Sequence, residues 1–184
     1  MPKIAAEKWF NGAEERRARL GLGPLFDELI QILTGFELLV EERRDANGAA
    51  EIRSIFDSRF LLAEGWTKKQ TGGVDWTKCR AINSTSVCLG VEVQFSGRSD
   101  LVIVDVVHLR EELISGRIDV GIVVVPSNHL APFLTDRVAR YDDAVRAVER
   151  ARAADLPLGV IALEHNGPGP AIAKRRTRQG RVQI

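Results

Sequence analysis

The sequence predicts an α/β fold, with a mixed central β-sheet flanked by helices. Three observations carry that prediction. Two short runs, IDVGIVVV (residues 118–125) and LPLGVIAL (156–163), are apolar on both sides of the pleat, as strands in the middle of a sheet are. The charged stretch between them, residues 136–154, has Val138, Tyr141, Ala144, Val145 and Val148 on one helical face. Strand, helix and strand in that order imply a crossover and a parallel pair. Upstream, apolar residues recur at helical spacing, so helices precede the sheet.

In chain order, the opening is read as helical. Residues 25–40 (LFDELIQILTGFELLV) form an amphipathic helix broken by Gly35, with Pro24 suited to its first turn. Ile52, Ile55, Phe56, Phe60 and Leu61 repeat the period up to a stop at Gly65. From Gly72 the pattern changes. The segments GGVDW, VCLGVEVQF and LVIVDVV are rich in β-branched residues and bounded by Gly, Ser and Asn, and are read as strands. HLREELISGR is a short helix ending at Gly116. The C-terminus is Gly/Pro-rich and then basic.

A length of 184 residues suits one domain. We expect a single unit over 1–184: a helical part at about 1–65, a sheet core at about 66–165 and a basic tail at 166–184. The composition is 45% hydrophobic and 28% charged, which excludes disorder, collagen, a disulfide scaffold and a coiled coil. Cys79 and Cys88 lack any metal-site spacing, and a reduced state is the simplest expectation. No run of 18 apolar residues and no signal-peptide pattern is present, so the expected location is cytoplasmic, away from the membrane. The net charge is only +1, from 26 Lys+Arg and 25 Asp+Glu, whereas nucleic-acid binders usually carry excess cations. Any such partner requires the charges to be segregated.

Chemistry gathers in GGVDW and GVEVQF. Residues two apart in a strand share a face, so Glu92 and Gln94 project together while Val91, Val93 and Phe95 take the other side. Aimed inward, a glutamate must be paired or must hold an ion. The same spacing also suits the solvent face of an edge strand. With Asp75 on a preceding strand, three oxygen side chains and the carbonyl of Val93 would surround one hard cation such as Mg2+. Such a site orients phosphate and activates water for phosphodiester hydrolysis.

VDWTK, then GVEVQF, then DVVHLREELISGRIDVGIVVVP, then a helix and LPLGVIAL, over residues of about 65–163, together resemble the BglII family of type II restriction endonucleases. The resemblance implies the PD-(D/E)XK nuclease core with glutamine at the usual lysine position. It assigns the metal-binding aspartate to Asp75, the metal-binding glutamate to Glu92 and the lysine position to Gln94. It further implies cleavage of double-stranded DNA with Mg2+, usually by a homodimer at a palindromic site. Asp75 and Glu92 stand 17 residues apart, more than the short hairpin expected of the family, so CRAINSTSVC is a longer strand-turn or an insertion. The family's polar residue on the preceding helix falls on Asp57, with Glu51 second. A neutral amide at position 94 orients water or phosphate only through hydrogen bonds, so strict dependence on Mg2+ or Mn2+ is expected. The alternatives are a DNA-binding protein that keeps the fold without cleaving, or a repair or toxin nuclease.

Phosphate contacts are expected from Lys68, Lys69 and Arg98, and from Lys174, Arg175, Arg176 and Arg178 in the tail. The region at about 13–45 is the candidate for dimerisation or recognition. His108, His129 and His165 lie far apart without metal spacing and are expected to be structural. Asp105 and Asp119 are extra carboxylates, one of them suited to capping a helix. Trp9, Trp66 and Trp76 are expected in the core or at an interface, Trp76 buttressing Asp75.

Overall fold

The computed structural model describes residues 1–68 and 73–174. The elements in chain order are strand β1 (Lys3–Trp9), helices α1 (Ala13–Arg19) and α2 (Gly23–Thr34), strand β2 (Leu39–Val40), helix α3 (Ala49–Leu62), and strands β3 (Thr67–Lys68), β4 (Trp76–Ile82) and β5 (Thr85–Val93). Helix α4 (Val102–Ile114), strand β6 (Val120–Pro126), helix α5 (Tyr141–Arg150) and strands β7 (Leu158–Glu164) and β8 (Gly167–Pro168) follow.

Six strands form one mixed sheet in the order β1-β7-β6-β5-β4-β3. Strands β5, β6 and β7 are parallel, and β1, β4 and β3 are antiparallel to their neighbours. This is the α/β fold of a restriction-endonuclease-like core, with helices on both faces of the sheet. On one face α2 and α3 bury Leu29, Leu33, Phe56 and Phe60 against Val91, Val93 and Ile122. On the other, α4 and α5 bury Val106, Leu109 and Val148 against Val123, Val125 and Val160. Every residue of β6 and β7 is buried, which accounts for their unbroken apolar runs.

The long link between Asp75 and Glu92 is a β-hairpin. Strands β4 and β5 pair from Trp76↔Val91 to Ile82↔Thr85. Their two-residue turn is made by Asn83 and Ser84, with Asn83 in the left-handed region at φ 55°. Cys79 and Cys88 are directly opposite in that register and form a disulfide. The expectation of reduced cysteines is thereby corrected.

Four other local readings also change. Residues 3–9 form a strand, not a helix, because β1 covers the free edge of β7. The helix read over residues 25–40 stops at Thr34, where the Gly35 amide bonds the Gln31 carbonyl and the chain turns into β2. Only Tyr141–Arg150 of the stretch 136–154 is regular α-helix. LVIVDVV belongs to α4, because Val102, Val106 and Leu109, spaced by four and three residues, form one buried stripe. The tail is anchored as far as residue 174: β8 pairs with β2, and the Ile172 amide donates to Asn47 Oδ1 at 3.1 Å.

Helix α4 lies close to the sheet because Gly90 and Gly121 face each other in β5 and β6. A Cβ at Gly90 would stand 3.4 Å from Leu109 Cδ2, and one at Gly121 only 3.2 Å from it.

Candidate active site

The parallel strands β5, β6 and β7 end together at one edge of the sheet, where ligands collect in open α/β sheets. Glu92 is 2% exposed and Gln94, one residue past the strand, is 6% exposed. With β4 and β6 on either side, β5 is an interior strand, which removes the solvent-face reading of the Glu-x-Gln pattern. Gln94 is held by its amide, which donates to the Val124 carbonyl at 2.8 Å.

Asp75 immediately precedes β4. Its Oδ2 accepts the Val93 amide at 3.0 Å, and its carboxyl is hydrogen-bonded to that of Glu92. The three expected metal ligands, Asp75, Glu92 and the Val93 carbonyl, are therefore gathered in one place. Helix α4 adds two more groups. Its first turn carries Asp105, and one turn on His108 places Nδ1 3.3 Å from Glu92 Oε1. Glu92, Asp105 and His108 each offer a ligand atom within 4.8 Å of the others. His108, expected to be structural, is thus part of the polar cluster. Asp105 points into the cluster instead of capping a helix.

The electrostatics follow from crowding. Burial pushes Glu92 up to about 11, helped by the neighbouring Asp75 and Asp105 carboxylates, so Glu92 is protonated at neutral pH. Burial and Asp75 raise Asp105 to about 7. Burial also pushes Asp75 upward, but the Arg53 guanidinium and the bonds from Glu92 and the Val93 amide outweigh it, holding Asp75 below the usual carboxylate range.

Arg53, on α3, is the residue that sequence reasoning missed. Its Nη2 lies 2.9 Å from Asp75 Oδ1, its Nη1 donates to the Val93 carbonyl and its Nε donates to Asp57 Oδ1 at 3.1 Å. The guanidinium thus binds two of the three expected metal ligands. The available signal was an arginine adjoining the apolar stripe of Ile52, Phe56 and Phe60. Asp57 shares the Arg53 guanidinium with Asp75. It is tied to Lys68 at 2.8 Å and to the Trp76 indole at 3.3 Å. Trp76 is fully buried, stacks on Phe60 at 4.9 Å and buttresses the site as expected.

The donor set fits a divalent cation. Several carboxyl groups converge with one backbone carbonyl, a hard oxygen set suited to Mg2+. One buried oxygen, Asp105 Oδ2, has no hydrogen-bond partner among the described residues.

The candidate phosphate contacts are dispersed. Lys68 is engaged by Asp57 and lies 5.2 Å from the centre of the Trp76 ring. Arg98 pairs with Asp100 at 3.1 Å and, with Lys174 and Arg137, lines an open cavity of about 660 Å3. Lys69, Arg175, Arg176 and Arg178 lie outside the described residues. No helix among the described residues is long and apolar enough to cross a membrane.

No curated protein matches the chain. A family model described as restriction endonuclease BglII/BglIII matches residues 22–163, which hold α2 to α5, β2 to β6 and all but the last residue of β7. The chain belongs to the BglII/BglIII family of restriction endonucleases.

Proposed function

We propose that the protein is a Mg2+-dependent endonuclease that hydrolyses phosphodiester bonds of double-stranded DNA at a specific palindromic site. It is a single nuclease domain over 1–184 that works as a homodimer in the cytoplasm, with Mn2+ as an alternative ion. The observation that carries this reading is the convergence of Asp75, Glu92 and the Val93 carbonyl at the end of β5, in a chain of a restriction-endonuclease family.

In this reading Asp75, Glu92 and the Val93 carbonyl hold the divalent ion, with Asp105 beside them. Bound there, the ion supplies Lewis-acid stabilisation of phosphate charge and lowers the pKa of the attacking water. Glu92 must release its proton to act as a ligand, and Arg53 must leave Asp75 and the Val93 carbonyl. Gln94 is neutral and orients water or phosphate by hydrogen bonding. Asp57 keeps Arg53 and Lys68 in place. Arg98 and Lys174, with Lys68, Lys69, Arg175, Arg176 and Arg178, take the phosphate backbone, which reconciles DNA binding with a net charge of +1.

The test is incubation of the purified protein with plasmid and phage DNA and Mg2+, followed by sequencing of the ends. Discrete fragments are expected. A smear rejects site specificity, and DNA left intact with both Mg2+ and Mn2+ rejects the nuclease reading. That last outcome would favour a DNA-binding protein without cleavage, a reading for which the Arg53 contacts to two of the metal ligands are the specific support.

A further inference from the structure

A second polar cluster lies at the same edge of the sheet, built by residues that the nuclease reading does not use. Glu164 ends β7, His165 follows it, and Ser127 and His129 come from the loop after β6. By strand spacing the cluster is roughly 16 Å from Glu92: two strands across through Val123 and Val160, then four residues along β7.

The hydrogen bonds form a nested set. The His165 ring is held between two carboxyl groups: its Nε2 lies 3.0 Å from Glu42 Oε1, and its Nδ1 meets Glu164 Oε1. His129 Nδ1 approaches the same carboxylate at 3.3 Å, and its ring is stacked on that of His165 with an 11° interplanar angle. Ser127 Oγ donates to Glu164 Oε2 at 2.6 Å, fixing the carboxylate. His165 and Glu164 are buried, whereas the His129 side chain is 66% exposed on a cavity of about 560 Å3.

Two imidazoles and one buried carboxylate thus converge on one cavity. The three groups offer ligand atoms within 4.8 Å of one another. Two tetrahedral ligands, each about 2.0–2.1 Å from a zinc ion, stand about 3.3 Å apart, as His129 Nδ1 and Glu164 Oε2 do. A carboxylate on the far nitrogen of a ligating histidine is the usual means of fixing its tautomer and ring, and Glu42 has that position on His165. Two imidazoles and one carboxylate suit a borderline transition metal better than Mg2+.

We infer that His129, His165 and Glu164 form a zinc site, with Glu42 and Ser127 orienting the ligands and the fourth position open to the cavity. The ion joins the ends of two parallel strands to the loop that carries Glu42. It is separate from the nuclease centre in place and in ligand chemistry.

The experiment uses the full-length protein carrying Glu92→Gln, which disables the other cluster as a competing site. After chelator treatment the protein is titrated with Zn2+ against a chromophoric chelator, with and without His129→Ala. His129 is exposed, so its truncation leaves the core intact. The expected result is one equivalent bound, with affinity at least tenfold weaker once His129→Ala is added. Histidine ligation should also give a cobalt-substituted protein whose visible absorption bands weaken in the same variant. Failure to bind Zn2+, or binding that His129→Ala leaves unchanged, overturns the site.

Discussion

Two glutamates finish the outer members of the parallel trio, Glu92 on β5 and Glu164 on β7, and both are buried. Their carboxyl groups move in opposite directions. Glu92 meets Asp75 and Asp105, and burial among like charges drives it up to about 11. Burial also pushes Glu164 upward, but the Ser127 hydroxyl and the amide and ring of His165 outweigh it and hold it below the usual range. Depth alone therefore does not decide the charge state of a strand-end glutamate; the polarity of what the neighbouring elements present does. One end of the edge crowds carboxyl groups around Glu92, and the other surrounds Glu164 with a hydroxyl, a backbone amide and an imidazole.

The strongest way to break this comparison is Glu92→Gln. Since Glu92 is already neutral in the folded protein, the amide preserves shape and charge, and the melting temperature should stay within about 2 °C. DNA cleavage with Mg2+ should fall by about 10²–10³-fold, because an amide is a poor substitute for a carboxylate ligand. Unchanged cleavage would remove Glu92 from the site. Next in size is Arg53→Ala, which leaves Asp75 and Asp57 without their shared, 14%-exposed cation and should cost about 3 kcal/mol in denaturant unfolding. Added Mg2+ should stabilise this variant more than the wild type, since the guanidinium no longer binds Asp75 and the Val93 carbonyl. Equal stabilisation would show that Arg53 does not compete with the ion.

Glu164→Gln tests the other end. It weakens the bonds to Ser127 and His165 and should destabilise by about 2 kcal/mol, in contrast to Glu92→Gln. Equal stability of the two variants would erase the distinction.

The most diagnostic effect is the pH dependence of the metal-free protein. Glu92 and Asp105, raised in the folded state, retain protons that the unfolded chain releases. Their contribution is full below the ordinary carboxylate range. It declines as pH rises, through about 7 for Asp105 and onward toward 11 for Glu92. Asp75 and Glu164, both lowered, act in the opposite sense, losing their contribution only as pH falls below that range. Urea unfolding in chelator should show stability falling from pH 5 to pH 7, and a rise over that interval would contradict the assignment.

The interior of the sheet was legible because β6 and β7 are buried on both faces, and burial writes itself as unbroken apolar sequence. The Asp75, Glu92 and Gln94 positions were legible because polar residues are conspicuous in such runs. Helix α4 was not. LVIVDVV is rich in β-branched residues, and only the packing of Val102, Val106 and Leu109 against the sheet reveals the helical period. Misreading it as a strand hid Asp105 and His108, which share a face only in a helix. Strand β1 was missed for a related reason: its partners on β7 lie 150 to 161 residues away along the chain, and no local signal announces the pairing. The His129 and His165 pairing was recoverable, since both follow strands that the sequence had already made parallel. Arg53 left only the weak signal of its place beside the stripe of Ile52, Phe56 and Phe60.

Gly90 and Gly121 carry no polar side chain, but Gly90 shares its face of β5 with Glu92, and the pair leaves room for Leu109 and hence for α4 against the sheet. Asp105 and His108 travel with that helix, and Glu92 travels with β5. A methyl at position 121 would stand 2.6 Å from Leu158 and 3.2 Å from Leu109, so these neighbours must give, and any shift of α4 away from the sheet would widen the gap between the Asp105 and Glu92 carboxyl groups. Mg2+ and Ca2+ differ in preferred oxygen distance by a few tenths of an ångström, at roughly 2.0–2.1 Å and 2.3–2.6 Å. If the two carboxyl groups hold the ion as proposed, the packing of Leu109 sets the space that ion must fill, and a substitution at Gly121 is expected to change ion preference without altering any ligand.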